Sequence, residues 1–375
     1  MKQLRVTVVG GTFAVCLAIN ALIGNQALAD FVFGEPMKVL NINTASNDGA
    51  VRVTQDGLEL YFSSNREQGG NLCGTDIWVS TRRSVSDPWG TPVKLDAPIN
   101  TDVVETYPCP SADGLELYFT DGWTGADGWT AHYHSCPRRP HGLGGADLWV
   151  ATRVSREDPW GEPVNLGESV NTHYDDDQPC LSEDGLSLYF ASNRPGGAGN
   201  SDIYVATRAT KKDPWSKPTL LSSKININWK WETHPFVSPD ERSLFFSQGG
   251  STVDIFVTHR AAKTDPWKIP ESFYPVNTLP NVKYGLSYSQ ADSTIYFSRG
   301  NGIMNLASFD IWQLEVTPIV DFNGDSMVDI LDALALLEHW QTTEISLYDI
   351  APLPFGDGVV DAKDLQTLAK HMVKP

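Results

Sequence analysis

Apolar and polar residues alternate along most of this chain, and five times the alternation ends in an aromatic triplet. The triplets are Leu60-Tyr61-Phe62, Leu117-Tyr118-Phe119, Leu188-Tyr189-Phe190, Leu244-Phe245-Phe246 and Ile295-Tyr296-Phe297. A second apolar run follows each one, beginning at Asp76, Asp147, Asp202, Asp254 and Asp310, so the unit recurs after 71, 55, 52 and 56 residues. A period-two pattern rich in aromatic and β-branched residues predicts strands, and self-similarity at this period predicts an array of like units. One unit reads as strand a (106–111), a turn at Asp113-Gly114, strand b (115–120), strand c (147–152) and strand d (162–166). Four short antiparallel strands make a propeller blade.

The ends of the array predict how the ring closes. Four units carry Asp-Pro-Trp after strand c, with Trp89, Trp160, Trp215 and Trp267, and then strand d; the fifth stops after strand c. The missing strand appears at the other end, because Phe33-Gly34-Glu35-Pro36 and Ile42-Asn43-Thr44 match Trp89-Gly90-Thr91-Pro92 and Ile99-Asn100-Thr101. The expected fold is therefore all-β, a five-bladed β-propeller (30–316) closed at a seam from Phe31 to Leu40, which leaves no free sheet edges. The four Trp residues recur at one place in each blade, so they are expected to pack rather than bind.

The motif Ser182-x-Asp184-Gly185-x-x-Leu188-Tyr189-Phe190-x-Ser192-Asn193-Arg194, seen in part at 54–66, resembles the WD40-like repeats of TolB-type and tricorn-type propellers. The resemblance implies a binding platform, with any chemistry in another domain. The Ser-Asn-Arg portion fades in blades two, four and five.

Four blades place an acid before strand a: Asp48, Glu105, Asp176 and Glu232, with Val282 at that place in the fifth. With Tyr107, Asp177, Gln178 and His234 beside them they are candidates for a ligand-binding ring at the channel mouth, for a cation or sugar hydroxyls. The competing reading is that each acid ties neighbouring blades together. The loop of blade two, 122–145, is the longest insertion and carries Trp123, Trp129, His132, Tyr133, His134 and His141.

From Thr317 the period changes. Asp321, Asn323, Asp325, Met327 (through its carbonyl), Asp329 and Asp332 stand at EF-hand positions 1, 3, 5, 7, 9 and 12, ahead of a predicted helix at 331–340. A second copy has Asp357, Asp361 and Asp364 at positions 5, 9 and 12, with Leu353 and Phe355 at 1 and 3 and a helix over 365–373. Two such units resemble a type I dockerin over 319–375, so 317–375 is expected to be a small helical calcium-binding domain. The resemblance implies calcium as cofactor and a cohesin-like receptor as partner. Partner-choosing positions 10 and 11 hold Ile330-Leu331 and Ala362-Lys363, which depart from the Ser-Thr type.

The chain has 375 residues, 41% of them hydrophobic, and a formal net charge of -18. That charge argues against nucleic acid and anionic membranes as partners. Residues 1–29 read as a secretory signal: Lys2 and Arg5, an apolar stretch, then Ala27-Leu28-Ala29. A secreted protein without a membrane span is expected, and export favours disulfides among the remaining cysteines. Placing Cys109 and Cys180 at the start of strand a predicts Cys73–Cys109 and Cys136–Cys180. The functional expectation is a non-catalytic propeller that binds a protein or carbohydrate ligand; the alternatives are a polysaccharide-degrading glycoside hydrolase and a structural surface protein.

Overall fold

The computed structural model describes residues 31–68, 72–122, 136–249, 253–300, 309–318, 320, 322, 328, 330–342, 350–351 and 359–372. It divides into two compact units, one of residues 37–313 and one that joins the chain ends, up to 36 and from 314 onward. The proposed signal segment lies outside the described residues.

The first unit is a five-bladed propeller. Blade one is β3 (Asp48–Val53), β4 (Glu59–Ser64), β5 (Asp76–Thr81) and β6 (Val93–Lys94). Blade two is β7 (Glu105–Pro110), β8 (Glu116–Asp121), β9 (Asp147–Thr152) and β10 (Val164–Asn165). Blade three is β11 (Asp176–Leu181), β12 (Ser187–Ser192), β13 (Asp202–Thr207) and β14 (Thr219–Leu220). Blade four is β15 (Trp231–Val237), β16 (Ser243–Gly249), β17 (Val253–His259) and β18 (Glu271–Ser272). After the short helix α1 (Tyr274–Asn277), blade five has β19 (Lys283–Ser289), β20 (Thr294–Gly300) and β21 (Phe309–Pro318). Its fourth strand is N-terminal: β2 (Met37–Lys38) pairs Met37 with Gln313 and Lys38 with Trp312. The seam falls where the sequence put it.

The repeat motifs have local reasons. The hydroxyl of Thr54, Ser111, Ser182 or Ser238 donates to the Asp two residues on, at 2.6–2.7 Å, and fixes the a–b turn. Gly57, Gly114 and Gly185 then take φ of 70–72°, the left-handed region that glycine enters without steric cost. Past strand d, an asparagine continues the ladder with its side chain. Asn100 accepts from Ile77 N and donates to Ile77 O, both at 2.8 Å. Asn171, Asn226 and Asn277 do the same to Leu148, Ile203 and Ile255. Asn43 does it to Ile311 across the seam.

The core lies between blades. Trp89, Trp160, Trp215 and Trp267 are buried, each beneath the guanidinium of Arg82, Arg153, Arg208 or Arg260 at 4.1–4.4 Å. The tyrosine of the aromatic triplet joins this stack. Tyr118 donates to Glu116, which receives Arg208 from the next blade at 2.9 Å, and Tyr118 meets Trp215 edge-on. These aromatics are packing elements, as their regularity predicts.

In the second unit, β1 (Phe31–Phe33) pairs with the end of β21, and helices α2 (Ile330–Glu338) and α3 (Ala362–His371) enclose a small core of Val320, Ala333, Leu336, Ile350, Val360 and Leu368. No helix among the described residues is long and apolar enough to cross a membrane.

Candidate functional site

Every inner strand of the propeller carries one extra residue. The register against strand b shifts between Gly49 and Arg52, Thr106 and Cys109, Asp177 and Cys180, Thr233 and Phe236, and Tyr284 and Leu286. At each bulge one residue is left-handed: Ala50, Tyr107, Gln178, His234 and Gly285, with φ of 50–60°. Four of these are not glycine, a conformation that persists only where neighbours enforce it. Here the preceding blade does so. The amides of Ala50, Tyr107, Gln178 and Gly285 donate at 3.0–3.2 Å to Ser298, Ser63, Thr120 and Ser247. Strand b of blade three has Ala191 at that place, and the His234 amide instead reaches the Gln178 side-chain oxygen at 2.7 Å.

Above this ring lies an open cavity lined by Asn47, Ala50, Ser63, Thr106, Ser298 and the rings of Tyr107, His234, Tyr284 and Phe309. The rings form a continuous wall: Tyr107 to His234 at 5.2 Å, His234 to Tyr284 at 5.2 Å, Tyr284 to Phe309 at 5.3 Å. Burial, with the Arg52 guanidinium nearby, pushes the His234 imidazole down to about 3, so it is neutral. Its Nδ1 lies 3.0 Å from the Thr233 hydroxyl. Tyr107 and His234 thus come together as site residues. Asp177 is buried beside them, 3.5 Å from the Gln178 amide.

The four acids face elsewhere. The bulge reverses which side of the strand faces the channel, and Asp48, Glu105, Asp176 and Glu232 are fully buried beneath the loop that enters strand a. Asp48 accepts from the Thr44 amide (2.6 Å) and hydroxyl (2.8 Å), from Ser64 and from Arg66, both 2.6 Å. Asp176 repeats this with Thr172, Ser192 and Arg194. Glu105 takes Thr101 and, at 2.8 Å, Arg139. They are ties between strand and loop, and none lines the cavity.

Arg139 explains why Ser-Asn-Arg fades in blade two. Arg66 and Arg194 each bind the acid, a carbonyl of the entering loop and two aromatic faces. Arg139, far along the insertion, fills the same place over Phe119 and Trp149 and bonds Ile99 O. Among the described residues no cation bonds the acid of blade four. Glu232 accepts from the Ile227 amide at 3.3 Å and the Gln248 amide at 3.0 Å, and burial pushes its carboxyl up to about 8. In blade five the place belongs to Lys283, paired across the strand with Arg299, and not to Val282 one residue earlier. Lys283 reaches Asp254 at 2.9 Å.

The disulfide pairing is also corrected. Cys73 bonds to Cys136, a bridge between neighbouring b–c loops, while Cys109 and Cys180 are free and buried. They are not at the start of strand a: each lies past the bulge, opposite Tyr118 and Tyr189, beyond reach of those loops. Cys73–Cys109 and Cys136–Cys180 do not form.

Of the expected calcium ligands, Asp321, Asn323, Asp325, Met327, Asp329 and Asp357 lie outside the described residues, as do His132 and His134. Asp332 is buried and accepts from the Phe322 amide at 2.7 Å, so positions 2 and 12 of the first loop meet. Asp361 and Asp364 cap α3 reciprocally, and Asp364 also accepts from the Ile350 and Ala351 amides at 2.6 and 2.7 Å. Among the described residues no cluster of three or more His, Cys, Asp or Glu side chains converges as a metal site.

No family model matches this chain, and no curated protein does. Among solved structures, TolB from Acinetobacter baumannii is 14% identical with a TM-score of 0.37, over 71% of this chain and 55% of its own, so the chain spans about half of that protein. A thermostable family-43 glycoside hydrolase is 16% identical with a TM-score of 0.46, over 72% and 89% of the two chains. The α-L-arabinofuranosidase PaAbf62A from Podospora anserina is 12% identical with a TM-score of 0.47, over 72% and 91%.

Proposed function

We propose that the propeller is a binding module whose channel mouth takes an uncharged, ring-bearing ligand, a saccharide unit. The wall of Tyr107, His234, Tyr284 and Phe309 carries this reading. Aromatic faces stack on the apolar face of a sugar ring, and the surrounding Asn47, Ser63, Thr106 and Ser298 offer hydrogen bonds to hydroxyls. A neutral imidazole suits such a ligand better than a charged one.

Glycoside hydrolysis is the competing reading, and one observation favours it. Burial pushes Glu105 up to about 7 and Glu232 up to about 8, the range of a general acid. Both carboxyls, however, are enclosed and held by loop amides and side chains, away from the cavity. A glycan array joined to an assay of reducing-sugar release tests the two. Binding without release, reduced at least about tenfold in Tyr107→Ala with an unchanged melting temperature, supports the binding module; sugar release overturns it.

For the second unit, we infer a calcium-stabilised pair of loop-helix units that serves for attachment. Its support is the closure of the first loop on Asp332. Bound calcium would join the oxygen-rich loop into one piece, and Asp321, Asn323, Asp325, Asp329 and Asp332 would hold it. A chelator is expected to remove helical circular-dichroism signal and leave the propeller folded; an unchanged helical signal counts against the site.

A further inference from the structure

The far mouth of the channel has its own cavity, and the two free cysteines line it together with Arg52. Cys109 and Cys180 are 3% and 2% exposed and occupy equivalent places on the neighbouring inner strands β7 and β11. Each sulfur accepts a backbone amide from the next blade, Leu181 N at 3.3 Å on Cys109 and Val237 N at 3.4 Å on Cys180. The amide on Cys109 belongs to Leu181, the chain neighbour of Cys180, so the two thiols lie side by side. Part of this is ordinary blade locking, since Ser287 accepts from Val53 N in the same way at 3.1 Å.

Arg52 is what the locking does not need. Its guanidinium donates to Leu286 O and Pro235 O, both at 2.7 Å, which holds it across the channel from blade one with its charge near Cys109. The neighbouring Cys180 thiol and the Arg52 charge lower the Cys109 thiol, whereas Cys180 is raised. Amide donors and a guanidinium around sulfur stabilise thiolate over thiol. A stabilised Cys109 thiolate also favours the reduced pair over a disulfide, because the reduced form gains most.

We propose that Cys109 and Cys180 form a two-coordinate site for a soft monovalent cation of the copper(I) class. Binding would replace both thiol protons with two sulfur–metal bonds and release the protons to solvent. The resulting bis-thiolate complex is singly negative, and the Arg52 guanidinium balances it inside the channel. Soft thiolate ligands select such ions, and the rigid inner strands hold the two sulfurs as a pair.

The test uses the full chain, reduced without oxygen and titrated with copper(I) against a chromogenic copper(I) chelator. One equivalent retained by the protein, lowered at least about tenfold in Cys109→Ser and in Cys180→Ser, supports the site. Serine is the residue blade five uses at this place, so the amide lock survives in both variants. Three outcomes overturn the proposal: no retention by the parent protein, equal retention in the doubly substituted chain, or the absence of two titratable thiols in the denatured, unreduced protein. The last would show that the pair is a disulfide.

Discussion

Glu232 offers the sharpest check on how the acids work. Three acids meet an arginine; Glu232 does not, and its carboxyl is raised from 4.5 to about 8. A carboxyl raised on folding stays protonated in the native state while the unfolded chain ionises, so stability falls as pH rises from about 4.5 towards 8 and levels off above. The full shift corresponds to about 5 kcal/mol at ~1.4 kcal/mol per unit, and water penetration reduces it to roughly 2–5 kcal/mol. Glu232→Gln removes the titration. It also disturbs the bonds to Ile227 and Gln248, a cost that does not vary with pH, so the readout is the difference between the two pH profiles. Urea unfolding of both proteins, from about pH 5 to about pH 8, should show the variant gaining on the parent by up to ~1.4 kcal/mol per pH unit. Profiles that stay parallel within about 0.5 kcal/mol would mean that Glu232 ionises freely, and the account of a cation-less tie would fail.

Other expectations follow the same contacts. Arg139→Ala leaves Glu105 buried without its cation and should cost about 3–5 kcal/mol in urea unfolding; adding Glu105→Gln should recover part of that, and no recovery would show that the loss was packing on Phe119 and Trp149. Cys136→Ser opens a loop of 63 residues and should lower stability by about 4 kcal/mol, read as a lower unfolding midpoint, with the addition of Cys73→Ser causing little further change. Ala191→Ser supplies the hydroxyl that blade three lacks; if Gln178 already satisfies the His234 amide, the melting temperature should move by less than about 2 °C.

The blades, their turns and the closing strand were legible because each rests on local chemistry: alternation, an Asp-Gly turn, an asparagine that extends a ladder. The site was less so. Bulges at Ala50, Tyr107 and Gln178 use residues with no special taste for the left-handed region, and contact with the preceding blade imposes it there as at His234. One unseen extra residue was enough to turn the acids from channel to loop and to move the cysteines past reach of the b–c loops. Arg139 was hidden for a different reason. Its place is defined in space by Glu105, Phe119 and Trp149, and the insertion carries it out of register with Arg66 and Arg194. Val282 stands one residue before the equivalent place, which Lys283 holds.

The seam has a consequence for the order of folding. Strands within blades one to four meet neighbours close in the chain, so each hairpin forms at small entropic cost. Met37 and Gln313 are 276 residues apart, and joining them in an otherwise open chain would cost about 5 kcal/mol in loop closure. Once the intervening blades stand, that separation shrinks to the gap between two ends of one arc. The first strand made is therefore the last to dock, and until it does, β21 stays an unpaired edge on a nearly finished ring.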